Sequence, residues 1–165
     1  MPAAELILDP HAIDFDRVVA DLGAVRELLP QRHEMEQLTA IVHDDPQAGI
    51  VAGYKDVTDD EFWVRGHMPG NPLMPGVIMC EAAAQVCSYH VIANRLMETN
   101  VIGFGGLDAV RFRGPVRPGD RLLVVAERLR LRPRTIVLCR FQLFVDGAMV
   151  CDGQMRGIPL PGDGV

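Results

Sequence analysis

The sequence predicts an α+β fold in which an antiparallel sheet covers one central helix. Residues 77–97 contain no proline or glycine and are rich in alanine, methionine and leucine, so they favour a long helix. This segment is almost entirely apolar, which is typical of a buried helix. Strand-like runs lie on both sides of it along the chain, as expected when one sheet is built from both halves of a domain.

The individual strands are predicted from apolar, β-branched or alternating residues bounded by turn residues. Two precede the helix, at 38–42 and 49–57, separated by a turn at 44–46. Those that follow it cover residues 108–113, 121–130, 135–145 and 148–155, with a hairpin turn at Asp146-Gly147. The glycine-rich stretch 103–106 fits a strand better than a phosphate-binding loop, because no helix follows it.

The domain organisation expected for 165 residues is a single folded unit. Residues 15–29 predict one or two short helices ending at Pro30, after a loose leader. We expect an N-terminal extension without an assigned role over 1–27, a folded domain over 28–158 and a flexible tail over 159–165.

Composition narrows the class of protein. The net charge of −6 argues against nucleic acid as the main partner. The four cysteines form no CxxC pair, so we expect free buried thiols in a reducing compartment. The start of the chain does not resemble a signal peptide, and the apolar segment 77–92 is too short and too polar for a membrane span. These observations predict a soluble cytoplasmic protein.

The candidate chemistry lies in a loop dense in proline and glycine, residues 66–76, and in the helix after it. His67 in the loop is of the residue type that accepts a proton near neutral pH. Glu81 lies inside the apolar helix, where burial would favour a protonated carboxyl that can act as an acid. Gly76 at the helix start offers an unpaired N–H that could polarise a carbonyl. Base, acid and donor together suit elimination of water from a 3-hydroxyacyl thioester.

Residues 62–85 resemble the active-site region of the FabZ-type β-hydroxyacyl-[acyl-carrier-protein] dehydratases. The family pattern is F-x-x-G-H-F-P-x-x-P-x-M-P-G-V-x-x-x-E-A-x-A-Q. From Gly66 to Gln85 this chain keeps it except for Met68, which stands where phenylalanine is usual, and Phe62 lies one residue farther from the glycine than in the pattern. Residues 106–120 are similar to the family's G-I-D-x-x-R-F-R-x-P-V-x-P-G-D. In all, the resemblance covers about residues 28–157.

This resemblance implies a hotdog fold, a curved antiparallel sheet wrapped around a long helix. It implies a homodimer with two shared active sites, commonly three such dimers in a hexamer, and no metal or redox cofactor. Carried over by position, His67 is the base, Glu81 of the partner subunit is the acid, and Gly76 is the backbone donor to the thioester. Gln85, Met68 and Phe104 are expected to bind substrate.

A cluster of arginines follows the helix in an otherwise acidic chain. We expect Arg111, Arg113 and Arg117 either to line a solvated strand face or to dock the acidic acyl carrier protein that presents the substrate.

Other functions stay open at this point. One is a hotdog thioesterase, and another is a non-catalytic protein that binds acyl thioesters. A dehydratase of a specialised lipid or polyketide pathway is a third. Incubation with 3-hydroxyacyl thioesters and mass analysis would separate loss of water, hydrolysis and no reaction.

Overall fold

The computed structural model describes residues 5–161, and the expected leader and tail extend beyond these limits at 1–4 and 162–165. Six antiparallel strands form one sheet in the spatial order β1-β2-β4-β5-β6-β3. The strands are β1 (Ala40–Asp45), β2 (Ile50–Asp56), β3 (Ile102–Phe112), β4 (Arg121–Arg132), β5 (Ile136–Val145) and β6 (Ala148–Pro159). The helices are α1 (Leu22–Leu28) and α2 (Gly76–Ala93), with single 3₁₀ turns at Pro10–Ala12 and His33–Met35. The expected α+β hotdog architecture is confirmed.

The inner face of the sheet packs around α2. Leu122, Val124 and Ala126 of β4 point to this side and are at most 1% exposed. Eleven of the residues of α2 are buried, so the helix serves here as the core of the domain. By length and composition alone it could cross a membrane, which differs from the expectation from the sequence. The apolar character of the segment thus reflects burial on nearly every side.

The outer face of the sheet is covered by the N-terminal segment. Leu123, Val125 and Phe144 point outward and form a second buried cluster with Ile7 and its neighbours in the segment. The segment is also tied down by polar contacts, because Gln142 of β5 accepts a hydrogen bond from the Ile7 N–H (2.9 Å) and donates one to the Glu5 carbonyl (2.9 Å). Residues of β4 are therefore buried on both faces.

The N-terminal segment also extends the sheet at its β1 edge. The N–H of Val19 donates to the carbonyl of Ile41 (2.8 Å), and the N–H of Ile41 donates to the carbonyl of Ala20 (2.8 Å). Asp21 then caps α1 by accepting a hydrogen bond from the Ala24 N–H (2.9 Å). The predicted short helix before Pro30 is confirmed by α1.

Helix α2 ends at Ala93, four residues before the predicted end at Met97. The N–H of Leu96 donates to the Val91 carbonyl and that of Arg95 to the Ile92 carbonyl, with Arg95 in the left-handed region at φ 52°. This is a Schellman stop formed without glycine, so the sequence carries no obvious signal for it. The turn predicted at 44–46 is also shifted, because β1 continues through Asp45.

The opposite edge of the sheet is β3, which begins at Ile102 and includes the glycine-rich stretch 103–106. The strand assignment for that stretch is confirmed. Phe104, Leu107 and Phe112 on this strand are each about half exposed. Within residues 5–161, β3 pairs only with β6, so an apolar sheet edge faces outward.

Candidate active site

Backbone hydrogen bonds hold His67 in the loop before α2. Its N–H donates to the Trp63 carbonyl (2.8 Å), and its carbonyl accepts from the Leu73 N–H (2.8 Å). Its ring nitrogen Nδ1 lies 2.7 Å from the Leu73 carbonyl oxygen. Because a carbonyl only accepts, Nδ1 carries the hydrogen and Nε2 keeps the lone pair. In the neutral ring this contact leaves Nε2 as the nitrogen that can take up a proton.

The rest of the loop is closed on itself and tied to the connection between β3 and β4. Met68 and Asn71 exchange two backbone hydrogen bonds (3.1 and 2.9 Å), and the peptide bond between His67 and Met68 is cis. Arg117 Nη1 donates to Asn71 Oδ1 (2.7 Å). The Met68 side chain is about half exposed at the loop surface. The loop is thus stiff in its backbone and open on its outer side.

Gly76 begins α2, immediately after the loop. Its N–H belongs to the first turn and has no acceptor within the helix. A Cβ at this position would lie 2.6 Å from Cζ of Phe112 on β3, so the aromatic ring packs directly over the glycine. The close approach requires a residue without a side chain, and it places an exposed ring beside the N-terminal end of the helix dipole.

Glu81 is half-buried and is held by a side-chain relay. Gln85, one turn later and 2% exposed, donates from Nε2 to Glu81 Oε1 (2.8 Å) and to the Met35 carbonyl (2.6 Å). The Oε1 atom of Gln85 accepts from the Gln37 N–H (2.9 Å). Gln85 therefore joins α2 to the segment before β1 and orients the carboxylate of Glu81.

A cavity of about 150 Å³ lies between α2 and the strands β3, β5 and β6. Glu81 and Phe104 both line it, together with Gln31, Ser88, Met155 and Arg156. The sequence did not single out Gln31, Met155 or Arg156, although Gln31 lies within the stretch covered by the family resemblance. Gln31 Oε1 is buried and has no hydrogen-bond donor among the described residues.

The cavity is also lined by two thiols, Cys87 of α2 and Cys139 of β5. Contact with the Cys139 thiol, followed by burial, raises the pKa of Cys87 well above its ordinary value. A neutral thiol is a poor nucleophile, so Cys87 behaves as a small apolar wall group. All four cysteines are free and buried, which confirms the expected state of the thiols.

The predicted site residues fall into two groups in the single chain. Glu81 and Phe104 line the cavity, and Gln85 supports Glu81 from behind. His67, Met68 and Gly76 belong to the loop and the helix start, and none of these three lines that cavity within residues 5–161. The single chain thus places His67 and Glu81 in different groups.

The predicted arginine cluster is only partly available for a partner. Arg113 Nε donates to Asp152 Oδ1 (2.6 Å), and Arg117 is bound to Asn71. Arg111 on β3 is exposed and forms no ion pair within the described part of the chain. Neutralisation of Arg113 by Asp152 lowers the positive charge that this surface offers.

Comparisons with known proteins identify the relatives of the chain. A FabA-like domain model matches residues 29–154. The 3-hydroxyacyl-[acyl-carrier-protein] dehydratase FabZ of Caldicellulosiruptor saccharolyticus is 34% identical over 135 residues, which is 82% of this chain and 95% of the relative. FabZ of Desulfotalea psychrophila is 36% identical over 140 residues, 82% of this chain and 90% of the relative.

A solved structure supports the same fold. The dehydratase heterocomplex ApeI:P from Xenorhabdus doucetiae superposes with a TM-score of 0.68 at 17% identity, covering 83% of this chain and 91% of the matched one. Fold and matched region define the class as a hotdog-fold protein with a FabA-like domain. Identity above 30% over nearly the whole length of the FabZ relatives places it more narrowly: the chain belongs to the FabZ family of 3-hydroxyacyl-[acyl-carrier-protein] dehydratases.

Proposed function

We propose that the protein removes water from (3R)-3-hydroxyacyl thioesters carried on acyl carrier protein, giving trans-2-enoyl thioesters for fatty-acid biosynthesis in the cytoplasm. The observation that carries this proposal is the way in which the structure positions the side chains of His67 and Glu81. The Nδ1 of His67 is engaged by the Leu73 carbonyl, which leaves Nε2 for proton transfer, while Glu81 stands on the wall of a cavity of about 150 Å³. Membership of the FabZ family supports the same reaction.

In the proposed mechanism His67 Nε2 takes the proton from Cα of the substrate. The Gly76 N–H donates a hydrogen bond to the thioester carbonyl oxygen and stabilises the negative charge that develops there, which makes the Cα proton more acidic. The electron pair of the C–H bond becomes the Cα–Cβ double bond, the Cβ–O bond breaks, and the Glu81 carboxyl protonates the departing hydroxyl to give water. Proton return from the His67 imidazolium to the Glu81 carboxylate then restores the resting state.

The mechanism requires His67 of one subunit and Glu81 of another. The apolar edge of β3, with Phe104, Leu107 and Phe112 about half exposed, supports a dimer that joins two such edges. We propose a homodimer with two shared sites, assembled three times into a hexamer. Within each chain, residues 28–158 would form the catalytic domain and residues 1–27 an N-terminal extension, of which residues 7–15 cover the sheet.

The proposed partner is acyl carrier protein, with Arg111 as the main docking cation and Arg113 and Arg117 in support. Arg111→Ala should raise KM for the carrier-bound substrate several-fold at low salt and have little effect in high salt. With a short pantetheine thioester, which has no acidic carrier, KM should not change. An equal change for both substrates would contradict docking through Arg111.

Subunit mixing tests the shared site. His67→Ala and Glu81→Gln should each leave a folded protein with kcat lowered about 10²–10⁴-fold. When the two inactive variants are unfolded together and refolded, mixed dimers contain one site with both substitutions and one intact site. Activity should then recover to about a quarter of the wild-type value, as random pairing across a two-fold interface requires.

The control is each variant refolded alone, which should stay inactive. Failure of the mixture to recover, with mixed dimers confirmed by mass spectrometry, would place both groups in one chain. Hydrolysis of the thioester without loss of water would instead indicate a thioesterase, and no reaction would indicate a binding protein.

A further inference from the structure

Gln31 is a polar residue beside Glu81 to which the proposed mechanism gives no role. Its side chain lines the same cavity as Glu81. It also borders a smaller gap next to Gln85, whose Nε2 donates to Glu81 Oε1 (2.8 Å). Gln31 therefore lies close to the carboxyl group that the mechanism uses as the acid.

The carboxamide of Gln31 has a buried oxygen that receives no hydrogen bond from residues 5–161. Such an oxygen is less stable than a hydrogen-bonded one, so unpartnered buried amides are uncommon in folded proteins. The backbone at this position is nevertheless fixed, because Arg32 Nη1 donates to the carbonyls of Gln31 and Leu29 (both 2.7 Å). A carboxamide held in this way at a cavity wall suits a bound hydroxyl group, which can both donate and accept.

Glu81 has one oxygen engaged and one available. Gln85 donates to Oε1, so in a protonated Glu81 carboxyl the hydrogen lies on Oε2. When this group donates to the substrate hydroxyl, the hydrogen of that hydroxyl still needs an acceptor. Among the other cavity side chains of the described residues, only Gln31 and Ser88 carry an oxygen. Ser88 lies seven residues beyond Glu81, about 10 Å along a helix axis, which leaves Gln31 as the acceptor.

We infer that Gln31 binds the 3-hydroxyl of the substrate and orients it toward Glu81. The hydroxyl hydrogen then points at Gln31 Oε1, and a lone pair of the hydroxyl oxygen faces the Glu81 carboxyl. Rotation about the last bond of the Gln31 side chain exchanges its oxygen and its NH2 group, so the oxygen can face the cavity in the complex. The inference rests on the proposed dehydration, because that reaction brings carbon 3 beside Glu81.

Unreactive ligands with and without the hydroxyl test this contact. S-(R)-3-hydroxybutyl pantetheine and S-butyl pantetheine are thioethers that have no acidic Cα proton and no thioester to hydrolyse. In the wild-type protein, calorimetry should show that the hydroxyl raises affinity about threefold to tenfold. Gln31→Met keeps the length of the side chain and removes the amide, so this ratio should fall to about one. An unchanged ratio in Gln31→Met would overturn the inference.

Gln142→Met is the matched control. It makes the same replacement at a buried glutamine, 4% exposed, on the outer face of the sheet, and Gln142 does not line the cavity described by residues 5–161. The hydroxyl should raise affinity as much in this variant as in the wild-type protein. Loss of the ratio in both variants would attribute the effect to general destabilisation and overturn the role of Gln31.

Turnover separates this inference from the proposed reaction. Gln31→Met should lower kcat/KM for (R)-3-hydroxybutyryl pantetheine about tenfold and change the affinity for S-butyl pantetheine about twofold or less. If the wild-type protein dehydrates no substrate but its hydroxyl preference is lost in Gln31→Met, the proposed function is wrong and the contact stands. If the wild-type protein dehydrates the substrate and Gln31→Met does so with the same kcat/KM, the contact is wrong and the proposed function stands.

Discussion

The histidine half of the site and the glutamate half are held in place by different means. His67 is fixed by hydrogen bonds from its own backbone and ring to the backbone of Trp63 and Leu73. Glu81 is fixed by one side chain, Gln85, which reaches across to Met35 and Gln37. A backbone-held group tolerates side-chain changes around it, whereas a group held by a single carboxamide depends on that residue. The glutamate half should therefore be the more fragile of the two.

Among the variants that test this contrast between the two supports, Gln85→Leu should have the largest effect. It leaves the Gln37 N–H and the Met35 carbonyl without their partner in the interior, so the free energy of unfolding should fall by about 2–4 kcal/mol. Glu81 also loses its orientation, so kcat should fall about tenfold. Denaturant titration and steady-state kinetics measure the two effects.

Gln142→Leu is the matched control. Gln142 is likewise buried, at 4% exposed, and bridges two backbone groups, but it does so on the outer face of the sheet. It should lose a similar amount of stability and keep its kcat. Equal loss of kcat in both variants would show that general destabilisation, and not the orientation of Glu81, explains the result.

Gly76→Ala should have an intermediate effect at the junction of the two halves. The new methyl group would collide with the Phe112 ring, which must swing away or push the helix start. We expect kcat/KM to fall about tenfold, with a change in unfolding free energy of about 1 kcal/mol or less. The double variant with Phe112→Ala relieves the collision and should recover most of the activity, and a double variant as impaired as Gly76→Ala would exclude this explanation.

Asn71→Ala should have the smallest effect on the histidine half. It removes the acceptor for Arg117, but the two backbone hydrogen bonds between residues 68 and 71 remain. Because the lost contact is exposed, unfolding free energy should change by about 1 kcal/mol or less and kcat by about threefold or less. A tenfold loss of kcat would show that side chains hold the loop, and the contrast between the two halves would disappear.

Much of this architecture could be predicted from the sequence, because the relevant signals are local. The proline-free apolar run gave the core helix, and alternation gave the strands, including the glycine-rich start of β3. The predicted C-terminal end of α2 was wrong because the helix stops in a Schellman motif at Arg95. That motif depends on backbone hydrogen bonds, and no residue type at this position indicates it. The extension of β1 through Asp45 is likewise set by pairing with β2, a non-local contact.

Candidate residues for the proposed site could be named from the sequence, but the contacts that hold them could not. His67 and Glu81 stand out as polar groups in a rigid loop and an apolar helix. The relay from Gln85 to Met35 and Gln37 joins residues about 50 positions apart, so only the folded chain shows it. The cavity residues Gln31 and Met155 come from the opposite ends of the domain for the same reason. The sequence does suggest partners for Glu81, because Gln85 and Ser88 follow it on one helical stripe.

The apolar outer face of the sheet has a consequence for how related sequences can vary. Tyr54, Leu123 and Phe144 are buried there only because residues from Ile7 to Phe15 lie over them. Deletion of the segment in one step would expose a large apolar surface to water and favour aggregation. A descendant without it should carry polar side chains at the equivalents of positions 54, 123 and 144. Among related proteins, we therefore expect the N-terminal segment and the apolar residues at positions 54, 123 and 144 to occur together.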